Sequence, residues 1–591
     1  MTADPARPGS VAQVRLPGGV MLAEWDVPVT MDDGAVLRAD VFRPSGPGQW
    51  PVLLSYGPYA KGLAFQDGYP DQWELMVGAH PDVTRGSSGD YQNWEVADPE
   101  KWVPDGYACV RVDSRGAGRS PGLLDPYSAR ETRDLYECIE WAAAQPWSTG
   151  KVGLNGISYY AMNAWHVASL QPPHLAAMCI WEGASDFYRD GTHHGGILCT
   201  FWENWYRKQV LPVQHGVGER GPTSRSTGEP VAGPQTLSEA ELAASRVPFG
   251  EQIREHPLDD EFHRIRSADF GQITVPFLSA ANWGGQGLHT RGNFEGFCRA
   301  ASPRKWLEVH GLEHWTHFYT DYGVDLQKRF FACFLHGDDS RWRQQPPVQL
   351  QVRTLDGFVQ RPEQEWPLAR TRWRKLWLKP DALELAWAEP GDRGLQSASY
   401  QAGGEGLTFR TPPFDDEAEI TGPVAARLFV SSSADDADLF LVLRLLRPDG
   451  GEVTFPGAID PHTPVAQGWL RMSHRTLDET LSTQYRPYHA HTEIQPLVPG
   501  EIYRADVEIW PTSIVVPADY RLALTVRGRD YARRHPGAPR LGSFVNEMTG
   551  CGPFLHDDPV DRPPALAGST QTLWAAPDRR PYLLVPVIPP G

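Results

Sequence analysis

The chain has 591 residues, 41% hydrophobic, 11% aromatic and 22% charged, which is enough apolar material for several packed cores and excludes both a small binding module and global disorder. Its 55 Lys and Arg against 73 Asp and Glu give a formal charge of −18, and with no basic stripe this makes nucleic acid an unfavourable partner. The cysteines, at 109, 138, 179, 199, 298, 333 and 551, stand singly with no CxxC pair, so a reduced, cytoplasmic setting is the simpler reading. The N-terminal stretch lacks the apolar run of a secretory signal, and the most apolar segment, Leu439 to Leu446, is short and carries Arg444. No membrane span is expected.

In chain order, residues 1–26 read as an N-terminal extension. From Val27 onward short apolar runs alternate with helical stretches: Pro51 to Ser55, Ala108 to Asp113, Lys151 to Asn155, Ala176 to Trp181, Val275 to Ala280 and Trp306 to Val309 as strands, with Ala129 to Ala144 and Tyr160 to Leu170 as helices. Buried strands of this kind separated by helices predict an α/β domain with a mostly parallel sheet, over 27–189 and 268–349. Between them, 190–267 reads as a partly helical cap insertion, helical over His193 to Val210 and Leu237 to Ile253, with a Gly-, Pro- and Ser-rich mobile loop from Gly216 to Pro234. From 350 to 591 the helical pattern disappears. Short runs such as Val424 to Ser431, Asp438 to Leu446, Ile502 to Trp510 and Tyr520 to Val526, with a hairpin turn at 448–451, predict an antiparallel β-sandwich.

The most informative segment is Lys151 to Ala161, where an apolar strand runs into Gly156-Ile157-Ser158-Tyr159 and then into a helix-forming stretch. That is the context of a nucleophile elbow, in which small residues two before and two after the Ser let strand and helix approach. Gly156 meets the first requirement. Tyr160 stands at the second, and Ala161 supplies a small residue one step later.

Gly156-Ile157-Ser158-Tyr159 resembles the Gly-x-Ser-Tyr elbow of the family of cocaine esterases and X-prolyl dipeptidyl-peptidases (CocE/NonD-type hydrolases), which also holds α-amino-acid ester hydrolases and glutaryl acylases. Three further stretches match it in order: Met31 to Pro44, Pro58-Tyr59-Ala60-Lys61, and Gly106 to Ser120. The resemblance implies an α/β-hydrolase catalytic domain with a cap and a C-terminal jelly-roll domain, and a serine hydrolase cleaving a carboxylic ester or amide through an acyl-enzyme. Ser158 is the nucleophile in this reading. The oxyanion hole is formed by the backbone N–H of Tyr159 and, from the family pattern, the hydroxyl of Tyr59, with Tyr56 a nearby competitor.

A serine hydrolase needs a His after the last core strands. His314 is the first choice, in His310-Gly311-Leu312-Glu313-His314, with His310 and His317 behind it. The family's acid falls at Gly285, so the usual triad acid is absent, and Glu182, at the end of the strand after the elbow helix, is the substitute expected to orient His314. Asp186 and Glu313 are the runners-up. The same residues spell His-x-x-Glu-His, a zinc-binding pattern, but Gly311 after a β-rich run argues against the helix that pattern needs. His193-His194 reads as a polar turn, and with no P-loop or Gly-x-Gly-x-x-Gly motif no cofactor or metal is expected. Trp181, Trp202, Trp205, Trp283 and Trp315 suggest an aromatic-walled pocket for a small-molecule ester or amide. Esterase or acylase is preferred over dipeptidyl-peptidase, a catalytically decayed binding protein is the remaining alternative, and a homo-oligomer is compatible with all of them.

Overall fold

The structure, a computed structural model, describes residues 11–16, 19–392, 394–533, 544 and 547–590. The N-terminal segment is a β-meander of β1 (Val11–Leu16), β2 (Gly19–Thr30) and β3 (Val36–Pro44). β3 joins antiparallel to β5 (Ala108–Asp113), and from there the sheet is parallel. Its order is β5, β4 (Trp50–Gly57), β6 (Ser148–Ile157), β7 (Leu175–Trp181), β8 (Phe277–Asn282), β9 (Lys305–His310) and β10 (Val348–Thr354). β11 (Gly357–Glu363) closes the edge antiparallel to β10. Strands such as β5 and β8 are buried along their whole length, as their unbroken apolar runs require.

Helices cover the sheet. α1 (Ala129–Ala143) starts at Ser128, whose hydroxyl accepts the Glu131 N–H, and buries Leu135, Cys138, Ile139 and Ala142 at helical spacing. α2 (Tyr159–Ala168) follows β6 directly, and α3 (Thr290–Arg299) follows β8. The C-terminal third is antiparallel: Ala418–Ser432 pairs along its length with Tyr503–Val516, and Asp438–Leu446 lies between Ala466–Arg471 and Arg521–Arg527. The hairpin turn at 448–451 is closed by the Arg447 N–H to Gly451 carbonyl bond of 2.7 Å.

Two details differ from the sequence reading. β10 spans the cut expected at 349/350 and pairs in parallel with β9, so the α/β sheet extends to β11 before the jelly roll begins. In the insertion, 193–198 is a two-strand hairpin and helix begins only at Phe201. Gly195 and Gly196, at φ +57° and +91°, turn the chain there, and a Cβ at Gly195 would lie 2.1 Å from the Trp469 carbonyl oxygen.

Candidate active site

β6 delivers Ser158 at φ +57° and ψ −111°, a strained conformation for a residue with a side chain. The Ser158 N–H donates to the Trp181 carbonyl at 3.0 Å and the Ile157 N–H to that of Glu95 at 2.9 Å, which fixes the elbow on both sides. Tyr160 is tolerated two positions after the Ser because glycines face it: a Cβ on Gly57 would approach its ring to 2.7 Å, and one on Gly156 its Cβ to 2.5 Å. Tyr159 is the first residue of α2, so its N–H has no partner within the helix.

The imidazole beside Ser158 is His289, not His314. Its Nε2 lies 3.2 Å from Ser158 Oγ. His289 immediately precedes α3 and is set by a turn after β8, in which Gly285 accepts the His289 N–H at 3.0 Å. A Cβ at Gly285 would meet Thr290 Oγ1 at 3.0 Å, so the turn that presents His289 crowds out a side chain where the family acid was sought.

His314 lies under His289, the rings stacked at 4.8 Å with 10° between planes. Both its nitrogens are taken, Nδ1 by Glu182 Oε2 at 2.7 Å and Nε2 by Glu95 Oε1 at 2.9 Å. Glu182 continues through Oε1 to His310 Nε2 at 2.9 Å, and His310 Nδ1 to Glu308 Oε2 at 2.7 Å. The result is a buried chain of alternating carboxylates and imidazoles, Glu95–His314–Glu182–His310–Glu308. Glu182 and Glu95, like Ser158, sit at positive φ. Burial alone would raise the Glu182 carboxyl, but the His314 charge and the hydrogen bonds from His310 and His314 pull it down to about 2. Burial disfavours both imidazolium forms; the flanking carboxylates nevertheless raise His314 to about 10 and His310 to about 9. At the chain ends, where each carboxylate has one imidazole, burial wins and raises Glu95 and Glu308. His289 has no carboxylate on it: burial first, and then the His314 charge, push it well below its usual value.

The structure thus brings Glu182 to His314 and does not bring His314 into hydrogen-bond contact with Ser158. Asp186 caps the next helical turn, accepting the Arg189 N–H and pairing with its guanidinium. His317 packs on His310 and Tyr322, away from Ser158. Residues 311–315 are not helical, so the geometry of a His-x-x-Glu-His zinc site is not formed. Tyr59 Oη accepts the Trp205 Nε1–H at 2.9 Å, which leaves the phenolic proton to be donated elsewhere, and burial keeps that phenol protonated. The loop carrying Tyr59 is anchored by Lys61, whose ammonium reaches Asp26 at 2.7 Å and Asp40 at 2.8 Å.

The family model of the X-Pro dipeptidyl-peptidase (S15 family) matches residues 33–319, and that of the X-Pro dipeptidyl-peptidase C-terminal non-catalytic domain matches 340–546. A crystal structure of a CocE/NonD family hydrolase from Staphylococcus aureus is 30% identical, with a TM-score of 0.84 over 99% of this chain and 97% of that one. The chain belongs to the CocE/NonD hydrolase family. Cocaine esterase of Rhodococcus sp. is 25% identical across 88% of this chain and 93% of its own length. An α-amino acid ester hydrolase shares the fold, at 15% identity and a TM-score of 0.67 over 97% of this chain and 98% of that one.

This CocE/NonD hydrolase is therefore a serine hydrolase of the esterase and peptidase type. Its pocket over Ser158 is lined by Tyr59, Trp94, Tyr127, Phe201, Trp202, Trp205, Leu288 and Trp315, with Glu95, Gln72, Gln209, His289 and His314 as polar groups. Of the tryptophans singled out from sequence, Trp202, Trp205 and Trp315 face the pocket. Trp181 stacks on His310 at 5.0 Å, and Trp283 packs with Phe294 and Trp366 in the core. Sequence reasoning missed His289, Glu95 and Glu308. The available signal for His289 was its place between a penultimate strand and the following helix, at the sheet edge where active-site groups collect.

Proposed function

We propose that this hydrolase cleaves a small carboxylic ester or amide through an acyl-Ser158 intermediate, with His289 as the group that takes the Ser158 proton. The observation that carries this reading is the 3.2 Å contact between Ser158 Oγ and His289 Nε2. Neutral His289 with its proton on Nδ1 presents an Nε2 lone pair to the hydroxyl. As Ser158 attacks the carbonyl carbon, its proton passes to His289, and the oxyanion receives the Tyr159 N–H and the Tyr59 O–H. Collapse returns the proton to the leaving alcohol or amine, and water repeats the sequence on the acyl-enzyme. The imidazolium formed on His289 is disfavoured by burial and by the His314 charge and favoured by the Glu182 carboxylate beneath it.

The Glu182–His314 contact of 2.7 Å favours a second assignment, in which His314 leaves Glu95 and becomes the base oriented by Glu182. The two separate by pH. A His289 base, depressed by burial, gives kcat/KM that is flat through neutral pH and falls only on the acid side. A His314 base, held protonated until about pH 10, gives activity that climbs through the alkaline range. His289→Gln abolishes turnover in the first case, His314→Gln in the second.

Fluorophosphonate labelling tests the common step. It is expected to modify Ser158 and to vanish in Ser158→Ala; undiminished labelling of that variant would remove the nucleophile assignment. The aromatic lining supports an apolar or aromatic acyl or leaving group, and p-nitrophenyl esters against aminoacyl amides decide between esterase and peptidase. Complete inactivity with every such substrate would favour a binding protein on the hydrolase scaffold. Seven free cysteines support a reducing, cytoplasmic location, and the charge of −18 supports the absence of a nucleic-acid partner.

A further inference from the structure

The 193–198 hairpin and the residue after it pack against the C-terminal domain. There His194, Cys199 and His556, all buried, each place one donor atom within 4.8 Å of the others. The hydrogen bonds around the two imidazoles place a proton on each outer nitrogen. His194 Nε2 donates to the Asp190 carbonyl at 3.2 Å, and His556 Nδ1 donates to Asp530 Oδ1 at 2.7 Å. The remaining nitrogens, His194 Nδ1 and His556 Nε2, face each other at 2.8 Å. With both outer nitrogens donating, the two facing nitrogens meet in an apolar enclosure of Ile197, Phe440, Trp469 and Trp510, where they hold either one shared proton or a cation within reach of both lone pairs.

We propose that His194, Cys199 and His556 form a three-ligand zinc site joining the insertion to the C-terminal domain. Two imidazole nitrogens and a sulfur are donors suited to zinc, and water takes the fourth position of the tetrahedron, as in open zinc sites. Asp530 on the far nitrogen of His556, and the Asp190 carbonyl on that of His194, are the outer partners that orient metal-bound histidines. Binding removes the Cys199 thiol proton to solvent as the zinc–sulfur bond forms; burial holds the metal-free thiol protonated, and the Phe201 backbone hydrogen bond to the sulfur only partly offsets that. The nitrogen separation has to open from 2.8 Å to about 3.3 Å for tetrahedral geometry at ordinary zinc–nitrogen distances. Cys199 leads directly into the helix Phe201–Trp205, whose Trp202 and Trp205 line the catalytic pocket, so the ion staples that wall to the C-terminal domain.

The test uses the full-length protein stripped with a chelator and titrated with Co(II). The expected result is saturation at one equivalent, with a thiolate-to-cobalt charge-transfer band that zinc displaces, and a rise in Tm with zinc by linkage. The band is lost in Cys199→Ser and retained in Cys551→Ser. Absence of a saturable band in the wild type, which needs no variant to fold, would overturn the proposal and leave a proton shared between the two rings. A band that persists unchanged in Cys199→Ser would overturn it as well.

Discussion

Glu182 is the residue on which the buried chain turns, since it accepts from His310, His314 and the Asn282 amide at once. In Glu182→Gln the amide cannot accept from all three, and two imidazolium groups lose their central counter-charge. A loss of about 3–5 kcal/mol is expected in urea unfolding at neutral pH, the range for breaking a buried ion pair on one side. Turnover separates the two assignments of the base again: His314 as the base requires a fall on the order of 10⁴, whereas His289 as the base gives a much smaller one. The chain also sets a pH window. His314 and His310, raised to about 10 and about 9, contribute stability fully present below their unfolded value of about 6.5 and lost as pH rises through 9 to 10. Glu182, lowered to about 2, contributes above its unfolded value of about 4.3 and loses that as pH falls. Glu95 and Glu308, raised by burial, work against stability once ionised. The urea midpoint is therefore expected to fall on the alkaline side of pH 9, and Glu182→Gln to flatten that limb. Ser158, Tyr59, Glu182 and His314 stand out in the sequence because each sits in a local motif or at a strand end, and the structure brings His314 to Glu182 but not to Ser158. His289 was not, because its contact with Ser158 spans 131 residues and depends on a turn whose shape no short pattern encodes.

Among the elements, the elbow and the Tyr59 loop are held by different means. Gly57 and Gly156 clear the space that Tyr160 occupies, so Gly57→Ala is expected to cost about 1–3 kcal/mol by overpacking and little in a Tyr160→Ala background. A double-mutant cycle read by urea denaturation measures that coupling. The Tyr59 loop rests on charge: Lys61 is buried among Asp26, Asp40 and Asp113, and Lys61→Met takes the ion-pair partner from Asp40 while Arg119 still holds Asp26 at 2.7 Å, an expected loss of about 3–5 kcal/mol. Thermal unfolding checks it. Strands and the two helices flanking the elbow could be read from periodicity. The 193–198 hairpin could not, since its apolar residues fit a helix equally well and only the close approach of Trp469 to Gly195 decides the turn.

Across the whole molecule, Arg291, two residues beyond His289, reaches Asp190 at 2.9 Å and Glu508 of the C-terminal domain at 3.0 Å. Arg291→Met is expected to destabilise the protein and to lower turnover by letting α3 shift under His289, with restored turnover on lowering the temperature as the check. The same domain touches both histidine loops directly. The Ala458 carbonyl accepts the His314 N–H at 2.7 Å, the Ala458 N–H donates to Gly284 at 3.0 Å, and a Cβ on Gly284 would lie 2.4 Å from the Gly457 Cα. A segment whose family description is non-catalytic thus supplies backbone that positions the loops of both candidate bases. Gene shuffling that exchanges the C-terminal third between relatives is then not free: chimeras can keep two well-formed domains and still be inert, and in this lineage the catalytic half and its C-terminal partner have to be inherited as a matched pair.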